Sequence, residues 1–107
     1  MTASQPFELI YDAQIARHLE NIERRSFRLI ERTIVQQLKF EPDAETRNRK
    51  PLLRPSTFGA DWELRFGPSN RFRVFYRVDA EAHEVHILAI GIKLGNRLLI
   101  GGEEFEL

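Results

Sequence analysis

Two alternating stretches carry most of the structural information in this sequence: Trp62-Glu63-Leu64-Arg65-Phe66 and Arg71-Phe72-Arg73-Val74-Phe75-Tyr76-Arg77-Val78. Successive side chains of a strand point to opposite faces of its sheet. The segment between the two stretches, Gly67-Pro68-Ser69-Asn70, is typical of a turn. The sequence therefore predicts a β-hairpin. Its apolar face would comprise the even-numbered residues Trp62, Leu64, Phe66, Phe72, Val74, Tyr76 and Val78.

The other face of the hairpin is mostly charged. Paired residues must share a face, so pairing Phe66 with Phe72 is allowed and sets Arg65 opposite Arg73. A slide by two residues is also allowed and sets Arg65 opposite Arg71 or Phe75. Like charges that face each other across a ladder are destabilising, so we expect either Glu63 or a bound phosphate to compensate. The alternative interpretation is a solvated face whose ion pairs contribute little. The full set of odd-numbered residues is Asp61, Glu63, Arg65, Arg71, Arg73, Phe75 and Arg77.

The composition is that of an ordinary globular protein. Its 107 residues are 42% hydrophobic and 30% charged, enough to bury one modest core, so we expect a single domain over residues 1–107. The sequence contains no cysteine, which excludes disulfides and thiolate metal sites. No apolar stretch is long enough to span a bilayer, and the N-terminus lacks a signal-peptide pattern. These features predict a cytoplasmic protein with no membrane partner.

Charge is segregated along the chain, although the formal net charge is zero. Residues 1–46 hold six Lys/Arg and eight Asp/Glu, and residues 78–107 hold two and six. The middle segment, residues 47–77, holds eight Lys/Arg and only two Asp/Glu. A concentrated basic block of this kind indicates an anionic partner.

The segments outside the hairpin predict an α+β fold. Residues 7–11 favour a strand, and two helices follow, the first with Asp12 as candidate N-cap and the second ending before Pro42. After a long loop at residues 41–60, a length that is often functional, the chain returns to strands. We expect two N-terminal helices packed on a small, mainly antiparallel β-sheet in the order β-α-α-β-β-β. The third of these later strands would place Val85, Ile87 and Ala89 on one face.

Four short motifs follow one another along the chain: Asn48-Arg49-Lys50-Pro51-Leu52, Trp62-Glu63-Leu64-Arg65, Arg73-Val74-Phe75-Tyr76 and Ala89-Ile90-Gly91-Ile92-Lys93. Their order and spacing resemble the RelE/ParE toxins of type II toxin–antitoxin systems, over nearly the whole chain. RelE-like members are compact ribonucleases that cut mRNA in the ribosomal A site. ParE-like members share the fold and poison DNA gyrase, and both kinds are neutralised by an antitoxin that wraps around the toxin.

The resemblance implies roles for three basic residues. Arg73 matches the arginine that contacts the scissile phosphate in RelE-like toxins. Arg65 matches the arginine that closes the first hairpin strand, and Lys93 matches a basic residue that follows the glycine of the next strand. We therefore expect Arg73, Arg65 and Lys93 to be catalytic.

The sequence departs from RelE in residues that concern acid–base chemistry. Asp61 and Glu63 stand where RelE has two lysines, and Leu99 lies near the position of its C-terminal tyrosine. Some related toxins use a glutamate in the loop before the hairpin. The counterpart of that glutamate in this chain lies near Lys50.

Metal-independent RNA cleavage needs a base for the ribose 2′-hydroxyl, charge stabilisation at the phosphorane and an acid for the leaving oxygen. A guanidinium suits the second role because its fork grips two phosphate oxygens. Arginine titrates too high for a general base, so the candidate bases are Glu63, or Lys93 and Lys50 if burial lowers their pKa. Contacts with the RNA backbone are expected from Arg49, Lys50, Arg54, Arg71 and Arg97.

Other residues are assigned less specific roles. His18, His83 and His86 show no ligand spacing, so we predict no metal and no cofactor. Trp62 and Tyr76 are expected in the core. Phe75 shares the arginine face, and the sequence does not decide whether it packs under arginine side chains, stacks on a base or contacts an antitoxin.

The sequence as a whole predicts a toxin that acts as a ribosome-dependent mRNA endonuclease and thereby inhibits translation. The alternatives are a non-enzymatic, ParE-like inhibitor of DNA gyrase and a decayed toxin that retains only antitoxin binding. The expected partners are a cognate antitoxin protein together with the ribosome and mRNA, or else DNA gyrase.

Overall fold

The computed structural model describes residues 5–54 and 56–106. Within them the chain forms two α-helices and seven strands, with single 3₁₀ turns at Arg24–Ser26 and Pro68–Asn70. In chain order the elements are β1 (Glu8–Tyr11), α1 (Ile15–Leu19), α2 (Phe27–Leu38), β2 (Arg49–Pro51), β3 (Trp62–Phe66), β4 (Phe72–Asp79), β5 (Glu84–Leu94), β6 (Arg97–Ile100) and β7 (Glu103–Phe105).

The strands form one mainly antiparallel sheet. Its order is β2-β3-β4-β5-β6-β7, with every neighbouring pair antiparallel. β4 covers one edge of β5 along its length. The other edge is shared by β1, which runs parallel to β5 up to Ile87, and by β6, which pairs from Gly91 onward. The α+β class predicted from the sequence is confirmed.

The predicted hairpin forms β3 and β4, and its register is one of those that the parity of the residue numbers allows. Phe66 pairs with Phe72, and Arg65 pairs with Arg73. The turn between the strands begins at Gly67, whose φ of 82° lies in the left-handed region that glycine adopts without strain.

The main core lies between the helices and the even-numbered face of the hairpin. Leu64, Val74 and Tyr76 are fully buried there. On the helix side, α2 is amphipathic and buries its stripe against them, which is what holds a helix this short. The helix residues of this core include Ile15, Ile30, Ile34 and Leu38.

A β-bulge breaks the alternation predicted for β5. The register against β4 shifts between Phe75, which pairs with Ala89, and Tyr76, which pairs with Ile87. Leu88 is therefore an extra residue on β5. Ile87 enters the main core, whereas Ala89 lies in a second apolar cluster with Phe75. The prediction that Ala89 shares a face with Val85 and Ile87 is wrong, because one inserted residue exchanges the two faces.

The predicted order β-α-α-β-β-β lacks β6 and the two short edge strands β2 and β7. β2 lies within residues 41–60, which the sequence analysis assigned to a loop, and it pairs with β3 so that Lys50 lies opposite Glu63. β7 lies in the acidic tail and pairs with β6. Each has three residues, too few to show an alternating pattern. In addition, none of the helices in the described residues is long and apolar enough to cross a membrane.

Tyr76 gives a test of the main core. Its hydroxyl donates a hydrogen bond to the Pro42 carbonyl oxygen at 2.7 Å, and burial raises the pKa of Tyr76 well above its ordinary value. Replacing Tyr76 by phenylalanine leaves a buried carbonyl without its donor, so we expect the free energy of unfolding to fall by about 1–2 kcal/mol. Urea denaturation would measure this. The matched control is Tyr11→Phe at a half-exposed tyrosine, where we expect a much smaller change.

Candidate phosphate-binding site

Arg65 and Arg73 are bridged by a single carboxylate. They face each other across the β3–β4 ladder, where their like charges would repel. Oε1 of Glu63 accepts a hydrogen bond from Nε of Arg65 at 2.6 Å, and its Oε2 accepts one from Nη1 of Arg73 at 3.1 Å. Glu63 therefore compensates the repulsion between Arg65 and Arg73, which is one of the two alternatives expected from the sequence.

The two arginines differ in freedom. The side chains of Glu63 and Arg73 are 3% and 7% exposed, whereas that of Arg65 is 41% exposed. Nε of Arg73 also donates to the carbonyl oxygen of Asn70 at 2.8 Å, which ties the guanidinium to the hairpin turn. Arg73 is thus held from two sides, and a preoriented guanidinium needs little reorganisation when an anion arrives.

Both carboxylate oxygens of Glu63 are already engaged by arginines. The observed role of this residue is to orient the two guanidinium groups. That Glu63 also acts as a general base stays a prediction.

A cavity of about 680 Å³ opens over the odd-numbered face of the hairpin, and we call it the arginine cavity. Among the described residues its lining carries four cations and two carboxylates, an excess of positive charge in a concave site that attracts anions. Lys93 reaches it from β5, whose backbone is fixed here by a hydrogen bond from Lys93 N–H to the Arg71 carbonyl oxygen at 2.7 Å. The charged lining residues are Arg54, Arg65, Arg73, Lys93, Glu63 and Glu106.

Arg49, expected to contact RNA, has a different place in the structure. Its side chain is buried and spans the gap between β2 and α2. Nε donates to the Ala44 carbonyl oxygen at 2.9 Å, and Nη1 donates to the carbonyl and side-chain oxygens of Gln37 at 2.7 and 3.1 Å. We therefore assign Arg49 a structural role and leave it out of the proposed RNA contacts.

Of the other residues predicted to contact RNA, Arg54 lines the arginine cavity, whereas Lys50, Arg71 and Arg97 lie outside its lining. Lys50 lies opposite Glu63 on the same sheet face, with Nζ 3.5 Å from Glu45. The guanidinium carbon of Arg71 lies 5.0 Å from the Phe72 ring centroid, within cation–π range, and its buried Nε has no hydrogen-bond partner among the described residues. Arg97 forms an exposed ion pair with Glu104 on β7 at 3.2 Å.

Several residues that line the arginine cavity were not predicted from the sequence, among them Phe58, Phe105 and Glu106. Phe58 comes from the loop before β3 and the other two from the C-terminal segment, so only the folded sheet brings them together. Phe75, whose role was left open, is 2% exposed and packs beneath Phe58 with ring centroids 5.5 Å apart. Its side chain is part of the second apolar cluster.

Leu99 does not contribute to the arginine cavity. It lies between Leu98 and Ile100 on β6, and alternation turns its side chain to the face opposite theirs. The cavity lining includes Leu98 but not Leu99. The described residues also hold no group of three or more His, Asp or Glu side chains placed to share a metal ion.

His18 has a structural position away from the arginine cavity. It is buried, and its Nδ1 accepts a hydrogen bond from the backbone N–H of Ile90 at 3.3 Å. Ile90 lies on β5 between Ile87, where the pairing with β1 ends, and Gly91, where the pairing with β6 begins. Burial, followed by the nearby Arg17, lowers the pKa of His18, and Asp12 opposes the shift.

The lowered pKa makes stability depend on pH. In the unfolded chain histidine titrates at about 6.5, so below that pH the unfolded state binds the proton more readily than the folded state. We expect the free energy of unfolding to be highest above pH 6.5 and to fall as the pH drops toward the folded-state pKa. Urea denaturation at several pH values between 7.5 and 5.5 would show this. In His18→Asn, whose amide oxygen can replace Nδ1 as acceptor, the fall should be smaller; an equally steep fall would contradict the assignment.

The fold and the cavity together define a small α+β protein with preoriented cations on the open face of its sheet. Its structure is similar to a chain of the crystal structure of the toxin–antitoxin complex RelBE2 from Mycobacterium tuberculosis. The two are 24% identical, the match covers 87% of this chain and 98% of that chain, and the TM-score is 0.67. The RelE-like fold expected from the sequence is confirmed. Neither models of protein families nor curated proteins give a match to this sequence.

Proposed function

We propose that this chain is the toxin component of a type II toxin–antitoxin system and that it acts in the cytoplasm as a ribosome-dependent mRNA endonuclease. The observation that carries the proposal is the convergence of Arg65, Arg73 and Lys93 in one cavity on a RelE-like fold. Two guanidinium groups held by one carboxylate form a preoriented receptor for a phosphate, which is the group attacked in RNA cleavage.

In the proposed mechanism Arg73 and Arg65 bind the scissile phosphate. Their N–H groups stabilise the negative charge that develops on the phosphorane oxygens as the 2′-oxygen attacks. Lys93 adds a third positive charge. Arg54 in the cavity lining, together with Lys50, Arg71 and Arg97 outside it, would hold neighbouring phosphates, each contact adding salt-dependent affinity.

An antitoxin is the proposed protein partner. The similar fold comes from a toxin–antitoxin complex, which supports binding of this kind. The excess positive charge of the arginine cavity would accept an acidic or amphipathic antitoxin segment. Such a segment would compete with RNA for the same cations.

A second candidate function is non-enzymatic inhibition of DNA gyrase. Two features favour it: both oxygens of Glu63 are engaged by arginines, and the resemblance implies that the tyrosine of RelE falls near Leu99, an aliphatic residue. Both weaken the acid–base half of a cleavage mechanism and leave the anion-binding half intact. A chain that retains only antitoxin binding is the third possibility.

Inducible expression of the chain alone in bacteria separates the three candidates. Protein and DNA synthesis are followed by pulse labelling in the minutes after induction. The proposed endonuclease should stop protein synthesis first, whereas a gyrase inhibitor should stop DNA synthesis first and induce a DNA-damage response. Normal growth with folded protein present would indicate a chain that retains only antitoxin binding.

A further inference from the structure

The arginine cavity has an aromatic wall that phosphate binding does not use. Phe58 and Phe105 are both partly exposed and both line the cavity. Their ring centroids lie 6.2 Å apart with an interplanar angle of 80°. Phe58 also contacts the buried Phe75 edge-on, with an interplanar angle of 75°. We call Phe58 and Phe105 the aromatic wall.

The Phe58 ring is held in place by its loop. The Ser56 hydroxyl accepts a hydrogen bond from Ala60 N–H at 2.7 Å, and the Ser56 carbonyl accepts one from Gly59 N–H at 3.2 Å. Gly59 has a φ of 85°, which glycine adopts without strain. This closed turn places the ring over Phe75 before any ligand binds.

The aromatic wall and the cations are close neighbours. Arg73 and Phe75 lie two residues apart on the same face of β4, a separation of about 7 Å along a strand, and Phe58 covers Phe75. One nucleotide spans a similar distance, because a single sugar links its anionic phosphate to a flat base. The cavity volume of about 680 Å³ also lies within the range of small-ligand pockets.

We propose that the aromatic wall is a nucleobase subsite, which takes the base of the nucleotide whose phosphate binds Arg65 and Arg73. This deepens the proposed function and rests on it. Aromatic side chains stack on unpaired bases in many single-strand RNA sites, and the contact tolerates all four bases because each has a flat face. An acidic peptide would satisfy the cations, but the ring cluster at one-nucleotide spacing favours RNA.

The test compares two probes that differ only in the base. Adenosine 5′-monophosphate and ribose 5-phosphate carry the same phosphate on a sugar, so their difference isolates the base contact. Each is titrated into the isotopically labelled full chain, and binding is followed by NMR. We expect both to shift the Arg65, Arg73 and Lys93 signals, only the nucleotide to shift the Phe58 and Phe105 ring signals, and the nucleotide to bind about ten-fold tighter.

Two matched variants separate stacking from packing. Phe58→Leu keeps an apolar side chain over Phe75 but removes the flat ring; it should lose most of the preference for the nucleotide and keep its affinity for ribose 5-phosphate. Phe40→Leu changes an exposed ring outside the cavity and should behave like the parent protein. A Phe58→Leu variant that keeps the full preference would overturn the subsite.

The outcomes distinguish this inference from the proposed function. Equal affinity for the two probes, with ribosomal mRNA cleavage intact, overturns the subsite and leaves the endonuclease standing. If neither probe binds the cations, the subsite and the phosphate-binding mechanism fail together. If the ring signals respond to a short peptide of glutamate and leucine but not to the nucleotide, the wall is a protein contact and the proposal is wrong.

Discussion

Replacing Arg73 with alanine is expected to reduce ribosome-dependent mRNA cleavage by at least about 100-fold, the typical cost of removing one preoriented donor from a charge-stabilising site. Arg73 is the buried member of the arginine pair and is fixed by both Glu63 and the Asn70 carbonyl oxygen. Arg73→Lys retains the charge but loses the fork, so it should show intermediate activity. Primer extension on mRNA from programmed ribosomes would measure cleavage.

The matched control for this prediction is Arg77→Ala. Arg77 lies on the same strand, β4, but outside the lining of the arginine cavity, and its loss should leave cleavage nearly unchanged. We expect Arg73→Ala to remain folded, because Arg65 still neutralises Glu63 when Arg73 is removed. Thermal unfolding of each variant checks this. A folded Arg73→Ala variant that cleaves as fast as the parent would contradict the phosphate-binding role.

Replacing Glu63 with alanine is expected to have the largest effect on stability. Without the carboxylate, the buried Arg73 loses its counter-charge and faces Arg65 directly across the ladder. Removing one partner of a buried ion pair leaves an uncompensated charge, and we expect the free energy of unfolding to fall by about 3 kcal/mol. This is the lower end of the range for buried pairs, because Arg65 is partly exposed. Chemical denaturation gives the value.

The same variant links stability to anion binding. Inorganic phosphate can take the place of the missing carboxylate, and a ligand that binds only the folded state raises its stability. Added phosphate should therefore stabilise Glu63→Ala more than the parent protein. Glu23→Ala is the control, because its ion pair with Arg25 is exposed and should contribute less than about 1 kcal/mol. A Glu63→Ala variant as stable as that control would show that the bridge does not hold the arginines.

The hairpin was predictable because its signals are local and agree with one another. Strict alternation through Phe66, the turn residues and the parity rule restrict Arg65 to a few partners, and the structure has one of these, Arg73. The need for Glu63 as compensation followed from the same register. The α+β class followed from the predicted order of a strand, two helices and further strands.

The parts that could not be predicted depend on contacts distant in sequence. No local pattern marks the bulge at Leu88, which exchanges the faces of β5. In the sequence Arg49 is one of several cations in a basic loop. Its hydrogen bonds to Gln37 and Ala44 are formed only in the folded chain. Phe58 and Phe105 are 47 residues apart in the sequence, and only the order of the strands brings them to one cavity.

In the proposed function the cations of the arginine cavity serve cleavage of translated mRNA. The most direct measurement mixes the purified chain with ribosomes programmed with a defined mRNA and maps the 5′ ends of the products, with ribosome-free mRNA as the control. We expect cuts within the A-site codon only when ribosomes are present, and we expect Arg73→Ala to abolish them. Intact mRNA on programmed ribosomes, with folded protein that blocks DNA supercoiling by gyrase, would contradict it.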